Sequence, residues 1–214
     1  MNFLSKLVYF IMVAIERYSI DESHGISHSF NTLHHACDIF ENEKYKHTEM
    51  IPHENVIYIA SAIHDMCDKK YMNQEEGIFH IDKLIAAELS NTERMAVREI
   101  VAKMSYSKVK LYGFPDLGKY QTAYNVVREA DLLAAYDFDR AMIYYMYMNH
   151  HVYTNENIIE EAYTDCCELF LKRMLRHDID GLFTFEYTRQ KADILKYESL
   201  NQMKRWKRII KTLK

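Results

Sequence analysis

The chain has 214 residues, 49% of them hydrophobic and 27% charged, with a formal charge of -4 and only five glycines and two prolines. That length suits one domain able to bury a proper core, and the weak net charge excludes an overall attraction to nucleic acid or to an anionic membrane. So few turn residues disfavour a strand-rich fold, and the expected class is all-α: a compact single domain over residues 1–214, with a ligand-bearing core at about 20–140 and C-terminal helices over 155–213 packed on it.

The four cysteines, Cys37, Cys67, Cys166 and Cys167, contain no C-x-x-C pair, and adjacent cysteines rarely bond to each other. A reduced, cytoplasmic protein is the simplest account. The first apolar run, Phe3 to Ile15, is interrupted by Lys6 and closed by Glu16-Arg17. It falls short of the ~20 apolar residues that span a bilayer and has no basic leader before it, so it reads as an amphipathic helix over about Asn2–Tyr18.

Asp21, Ser23, Gly25 and Ser27 form a loop and cap, and a helix is expected from near Ser27, with Leu33, Ala36, Cys37 and Phe40 at helical spacing and His28 in its first turn. Pro52 marks the start of a third helix, apolar nearly all round through Val56, Ile57, Ile59, Ala60 and Ile63, which carries His64-Asp65 at its C-terminal end. Further helices are expected from about Gln74 to Leu89 and from an Asn91-Thr92-Glu93 cap to about Met104.

Ser105 to Gly118 is the longest turn-rich stretch and the candidate functional loop. Helical periodicity resumes over Tyr120–Tyr136, continues over Asp137–Asn149 with a dense Tyr and Met face, and returns over Asn155–His177 and Phe185–Leu213. The Tyr144–Met148 face reads as core or as a contact between subunits of a homo-oligomer. The basic end, Lys204 to Lys214, reads as a solvated edge with a packed inner stripe of Trp206, Ile209, Ile210 and Leu213, because helical C-termini favour cations; neither nucleic acid nor membrane is an expected partner.

Asp131 stands out in this pass. It lies among Ala130, Leu132, Leu133, Ala134 and Ala135, where a carboxylate is costly unless paired or bound to a cation. With His28 and His64-Asp65 it completes an ordered set of two imidazoles and two carboxylates. Such a mixed nitrogen and oxygen set suits one divalent ion, among Mn, Fe, Co, Ni, Zn and Mg, and the lack of a cysteine quartet argues against structural zinc. In an octahedral shell, four protein ligands leave two positions, one for water and one for a phosphate oxygen.

On these residues the sequence resembles the HD-domain superfamily of metal-dependent phosphohydrolases. Glu22-Ser23-His24-Gly25-Ile26-Ser27-His28 is similar to the opening motif of its small nucleotide-hydrolysing branch, and His64-Asp65-Met66-Cys67-Asp68-Lys69-Lys70 to the H-D-x-x-D-x-K segment. Ile100 to Lys108 and Arg128-Glu129-Ala130-Asp131 resemble the two later stretches. The resemblance implies an HD-domain fold and hydrolysis of a phosphate ester or anhydride of a nucleotide or similar small molecule. It implies metal ligands His28, His64, Asp65 and Asp131. Asp68 would orient or deprotonate water, Lys70 would assist as a catalytic cation, and Lys108 and Arg128 would bind substrate phosphate.

The chain departs from the family at Asn31 and Leu132, where arginines are common. That departure leaves room for a second expectation, a regulatory module that binds metal and nucleotide with little turnover.

Overall fold

The computed structural model describes residues 1–148 and 157–213. Among these every regular element is helical and no strand occurs, so the chain is all-α. Its internal contacts divide it into two units, Met1–Ile20 with His24–Asp131, and Asp21–Ser23 with Leu132–Lys214.

In the first unit α1 (Phe3–Tyr18) starts where the Asn2 side chain accepts the Ser5 N–H at 2.9 Å, and it buries Leu7, Ile11 and Ala14. α2 (Ile26–Glu43) buries His28, Ala36, Ile39 and Phe40 on one face. Pro52 does not open α3. It sits inside a 3-10 turn, Thr48–His53, and α3 runs from Glu54 to Ile63.

Val56, Ile57, Ile59, Ala60 and Ile63 are all buried, and α3 packs against both α2 and α5 (Asn91–Lys103). Each such aliphatic contributes about 1.5–3 kcal/mol on burial, which makes α3 a rigid post rather than a surface element.

α4 (Gln74–Ile85) is capped by Asn73, whose side chain accepts from Glu75 and Glu76. It stops short of the expected Leu89 because the Glu88 and Leu89 N–H groups both turn back to the Ile85 carbonyl, at 3.1 Å. α5 begins at a capping box formed by Ser90 and Glu93. Half of the stretch expected to be loop is helical: α6 (Tyr106–Tyr112) buries Val109 and ends at Gly113, whose φ of 76° is one that other residues rarely adopt. α7 (Gln121–Ala134) buries Ala123, Tyr124, Val126, Val127 and Ala130.

In the second unit α8 (Phe138–Met148), α9 (Ile158–Lys172) and α10 (Glu186–Leu213) enclose a core of Phe138, Met142, Ala162, Cys166 and Phe170. Phe138 meets Phe170 edge-on at 5.0 Å. Tyr145, Met146, Met203 and Trp206 pack on that core, so the Tyr and Met face of α8 is partly core, while Tyr147 and Met148 are exposed. The expected helix limits Asn149 and Asn155 lie outside the described residues. No described helix is long and apolar enough to cross a membrane.

Candidate metal centre

Three elements of the first unit converge. His28 is the third residue of α2, His64 is the residue on which α3 ends, Asp65 follows it, and Asp131 lies in the last turn of α7. The two imidazole Nε2 atoms are 3.1 Å apart. Asp65 Oδ2 lies 3.3 Å from His28 Nε2 and 3.2 Å from His64 Nε2. Asp131 Oδ1 lies 3.3 and 3.5 Å from the same two nitrogens. Donor atoms ~2.0–2.2 Å from one cation are about 2.8–3.6 Å apart when adjacent, from octahedral to tetrahedral geometry, and these separations fall in that range.

Hydrogen bonding decides between a self-contained polar cluster and a group that could hold an ion. Asp65 Oδ2 is buried and makes no hydrogen bond, although two nitrogens lie within 3.3 Å of it. A buried carboxylate oxygen left this way costs more than a kcal/mol unless a cation completes it. His64 Nδ1 is 2.8 Å from the Ser61 carbonyl, which as an acceptor holds the proton on Nδ1 and leaves a lone pair on Nε2. The buried His28, His64 and Asp65 therefore form a group that could hold a metal ion.

Without an ion, the same charges favour a proton on His64. Burial pulls the His64 pKa down, but the charge of Asp65 and the nearness of the Asp131 and Asp65 carboxylates more than offset this and hold it well above the ordinary value. Burial pushes both carboxyls up, yet the histidines outweigh it. His64 and His28 keep Asp65, and His28 and His64 keep Asp131, well below the usual carboxylate range. Asp65 and Asp131 also sit at the C-terminal ends of α3 and α7, where the helix dipoles disfavour anions and favour a cation. The imidazoles are sealed in, with side chains 2% and 3% exposed, whereas Asp131 is 29% exposed, so the centre opens on the carboxylate side.

That side faces a cleft of about 80 Å³ lined by His64, Asp65, Asp68, Gln74, Ser105 and Lys108, among others. A roomier cavity of about 490 Å³, walled by Phe3, Leu7, Leu33, Tyr58 and Ile59, contains none of the four convergent groups, so the chemistry belongs to the smaller cleft.

α3 does not continue through Asp68. Residues 64–67 form turns, with Met66 N–H on Ile63 O and Asp68 N–H on Asp65 O, and it is this turning chain that brings Asp68 to the cleft. Asp68 Oδ1 accepts the Lys70 N–H at 2.9 Å, and Lys70 Nζ lies 3.6 Å from Asp68 Oδ2. Gly77 of α4 underlies this turn so closely that an added Cβ would stand 2.7 Å from Cys67 Cβ. Burial, then the charges of Asp65 and Asp68, push the Cys67 thiol up to about 12, which leaves no thiolate to compete for an ion.

The other two predicted substrate contacts are placed differently. Lys108 lines the cleft, but its Nζ donates to the Ala102 carbonyl at 2.6 Å and approaches Gln74 Oε1 at 3.4 Å, closing the end of α5. Arg128 is not among the cleft residues. It is 2% exposed, pairs with the buried Glu129 at 3.3 Å and stacks on Phe114 at 4.7 Å.

The structure adds His24, which the sequence offers only as part of the opening motif. Its Nδ1 is 3.0 Å from Tyr71 OH and its Nε2 is 3.4 Å from Lys70 Nζ, with its ring 6.0 Å from that of His28. The four-residue spacing from His24 to His28 was the available signal.

No family model and no curated protein matches the chain. A protein of Lactobacillus plantarum known from a crystal structure has a similar fold, with a TM-score of 0.67 over 97% of this chain and 98% of that one, at 17% identity.

Proposed function

We propose that the chain is a metal-dependent phosphohydrolase of the HD-domain type, cleaving a phosphate ester or anhydride of a nucleotide-like small molecule. The observation that carries this reading is the unbonded, buried Asp65 Oδ2 set against two imidazole nitrogens, with Asp131 closing the set. A divalent cation bound there supplies Lewis acidity to a phosphoryl oxygen and acidifies a water.

The protein's own groups do the rest. His28 and His64 offer neutral nitrogens, the Ser61 carbonyl orients His64, and Asp65 with Asp131 balances the cation's charge. Asp68 stands at the cleft beside them and takes the proton of the attacking water. Lys70 is not among the residues that line the cleft, but its Nζ lies between Asp68 and His24, from where its charge favours negative charge gained by phosphoryl oxygens beside Asp68. A cleft of about 80 Å³ suits a phosphate-sized group, so the remainder of the substrate extends outward. Asp131, the most exposed of the four, marks the way in.

One observation favours a second reading, a module that binds metal and nucleotide with little turnover. Among the described residues no arginine lines the cleft, and Lys108 is already engaged with Ala102. Phosphate release from nucleoside mono-, di- and triphosphates, with Mn, Co, Ni and Mg supplied in turn, separates the two. Turnover that Asp65→Ala abolishes supports the hydrolase. Metal-dependent nucleotide binding without release on any of these compounds supports the module instead.

A further inference from the structure

The end of α10 shows a second feature, unrelated to the cleft. Residues 204–214 hold six of the chain's 27 lysines and arginines and none of its 31 acidic residues. Lys204, Arg205, Lys207, Arg208 and Lys211 are all exposed, and none enters an ion pair among the described residues. At 3.6 residues per turn these five span about 160° of the helix circumference, and Trp206, Ile209, Ile210 and Leu213 fill an adjoining arc of about 100°.

The apolar stripe was expected to be packed along its length, and it is packed only in part: Trp206 and Ile210 are half-buried, and the other two members are not. Trp206 lies on the core of the second unit and its Nε1 donates to Asp139 Oδ1 at 2.6 Å, but Ile209 is 44% and Leu213 82% exposed. From Trp206 onward the helix keeps its amphipathic pattern while losing the surface that the pattern would cover.

We propose that this helix end is a docking surface for an anionic phospholipid bilayer. Exposed cations arrayed beside unpartnered aliphatics on one helix end match the two layers of such a surface: phosphates for the Lys and Arg arc, the upper acyl region for Ile209 and Leu213. Charge complementarity alone would equally fit a nucleic acid. The aromatic side chain that could stack on bases, Trp206, is however held by Asp139 and the core, and the residues left free are aliphatic. The overall charge of -4 does not oppose a local contact, since charges more than ~8 Å away are screened at physiological salt.

The test is flotation of the full chain with vesicles of phosphatidylcholine alone and of phosphatidylcholine with 30% phosphatidylserine, at low and high salt. Binding is expected only to the anionic vesicles and is expected to weaken with salt. At ~1 kcal/mol per cation, Lys207→Gln/Arg208→Gln/Lys211→Gln lowers partitioning about 100-fold. Leu213→Ser lowers it less and without changing the salt dependence.

Lys103→Gln/Lys110→Gln/Lys119→Gln, which removes three exposed lysines of the first unit, leaves it unchanged. Helix content by circular dichroism verifies that each variant is folded. Absence of binding to anionic vesicles, equal binding by the α10 triple variant, or retention of the chain by single-stranded oligonucleotide but not by vesicles overturns the proposal.

Discussion

Replacing Asp65 with asparagine changes one charge at nearly constant shape. The carboxylate oxygen it removes lies 3.2 Å from His64 Nε2, and a full charge pair at that distance interacts by about 5 kcal/mol at an effective dielectric of about 20. A divalent ion at ligand distance feels at least as much, so a loss of about 100-fold in metal affinity, ~2.7 kcal/mol, is a conservative expectation.

In wild type, metal at ~1,000 times its Kd adds about 4 kcal/mol of stability, which raises Tm by roughly 8–16 °C for a chain of this size. At the same metal concentration Asp65→Asn retains ~1.4 kcal/mol, or about 3–6 °C. With EDTA present the variant melts lower than wild type below about pH 6.5, because it loses the charge that faces His64, so the metal-induced rise within each protein is the readout. Differential scanning fluorimetry with and without Mn reads both numbers. An undiminished metal-induced rise in Asp65→Asn refutes the assignment of that oxygen as a ligand.

Proton linkage gives a second expectation. The raised His64 pKa contributes stability fully below ~6.5, which is lost as pH rises through the folded value; the depressed Asp65 and Asp131 pKa values contribute above ~3.9, lost as pH falls through theirs. The metal-free centre is thus most stabilising from about pH 4 to about 6.5, and within that window metal must displace about one proton from His64, so its affinity rises about tenfold per pH unit. Calorimetry in buffers of different ionisation enthalpy counts that proton.

Asp68→Ala lowers turnover by about 10²–10⁴ while bound metal, measured by elemental analysis, stays at the wild-type level. Full turnover in this variant removes Asp68 from the water-activating role. Gly77→Ala, which must displace Cys67 or the Met66 carbonyl, lowers stability by an amount typical of overpacking, about 1–3 kcal/mol, and weakens metal binding by tilting the Asp65 turn. A Tm change with metal affinity untouched separates the turn from the ligand set.

The sequence was most readable where one local rule acted alone. Helical periodicity placed α1, α5, α7 and α10 to within a few residues, and the costly position of Asp131 among apolar neighbours flagged it before any contact was visible. It was least readable where a choice depended on partners distant in sequence. Pro52 has two acceptable places at a helix start, and packing chose the 3-10 turn.

Arg128 and Asp131 are three residues apart, yet Arg128 lies buried over Phe114 while Asp131 reaches the cleft, a division no spacing rule predicts. His24 acquires meaning only from Tyr71 and Lys70, more than forty residues away. At Ile209 and Leu213 the pattern predicted packing that the described residues do not supply.

The central claim is that these four side chains hold one divalent ion. Elemental analysis of the protein purified without chelator tests it most directly. The account predicts close to one equivalent of a divalent transition metal or magnesium per chain, lost on His64→Ala. A chain that carries no metal and takes up none from Mn, Co, Ni, Zn or Mg contradicts it.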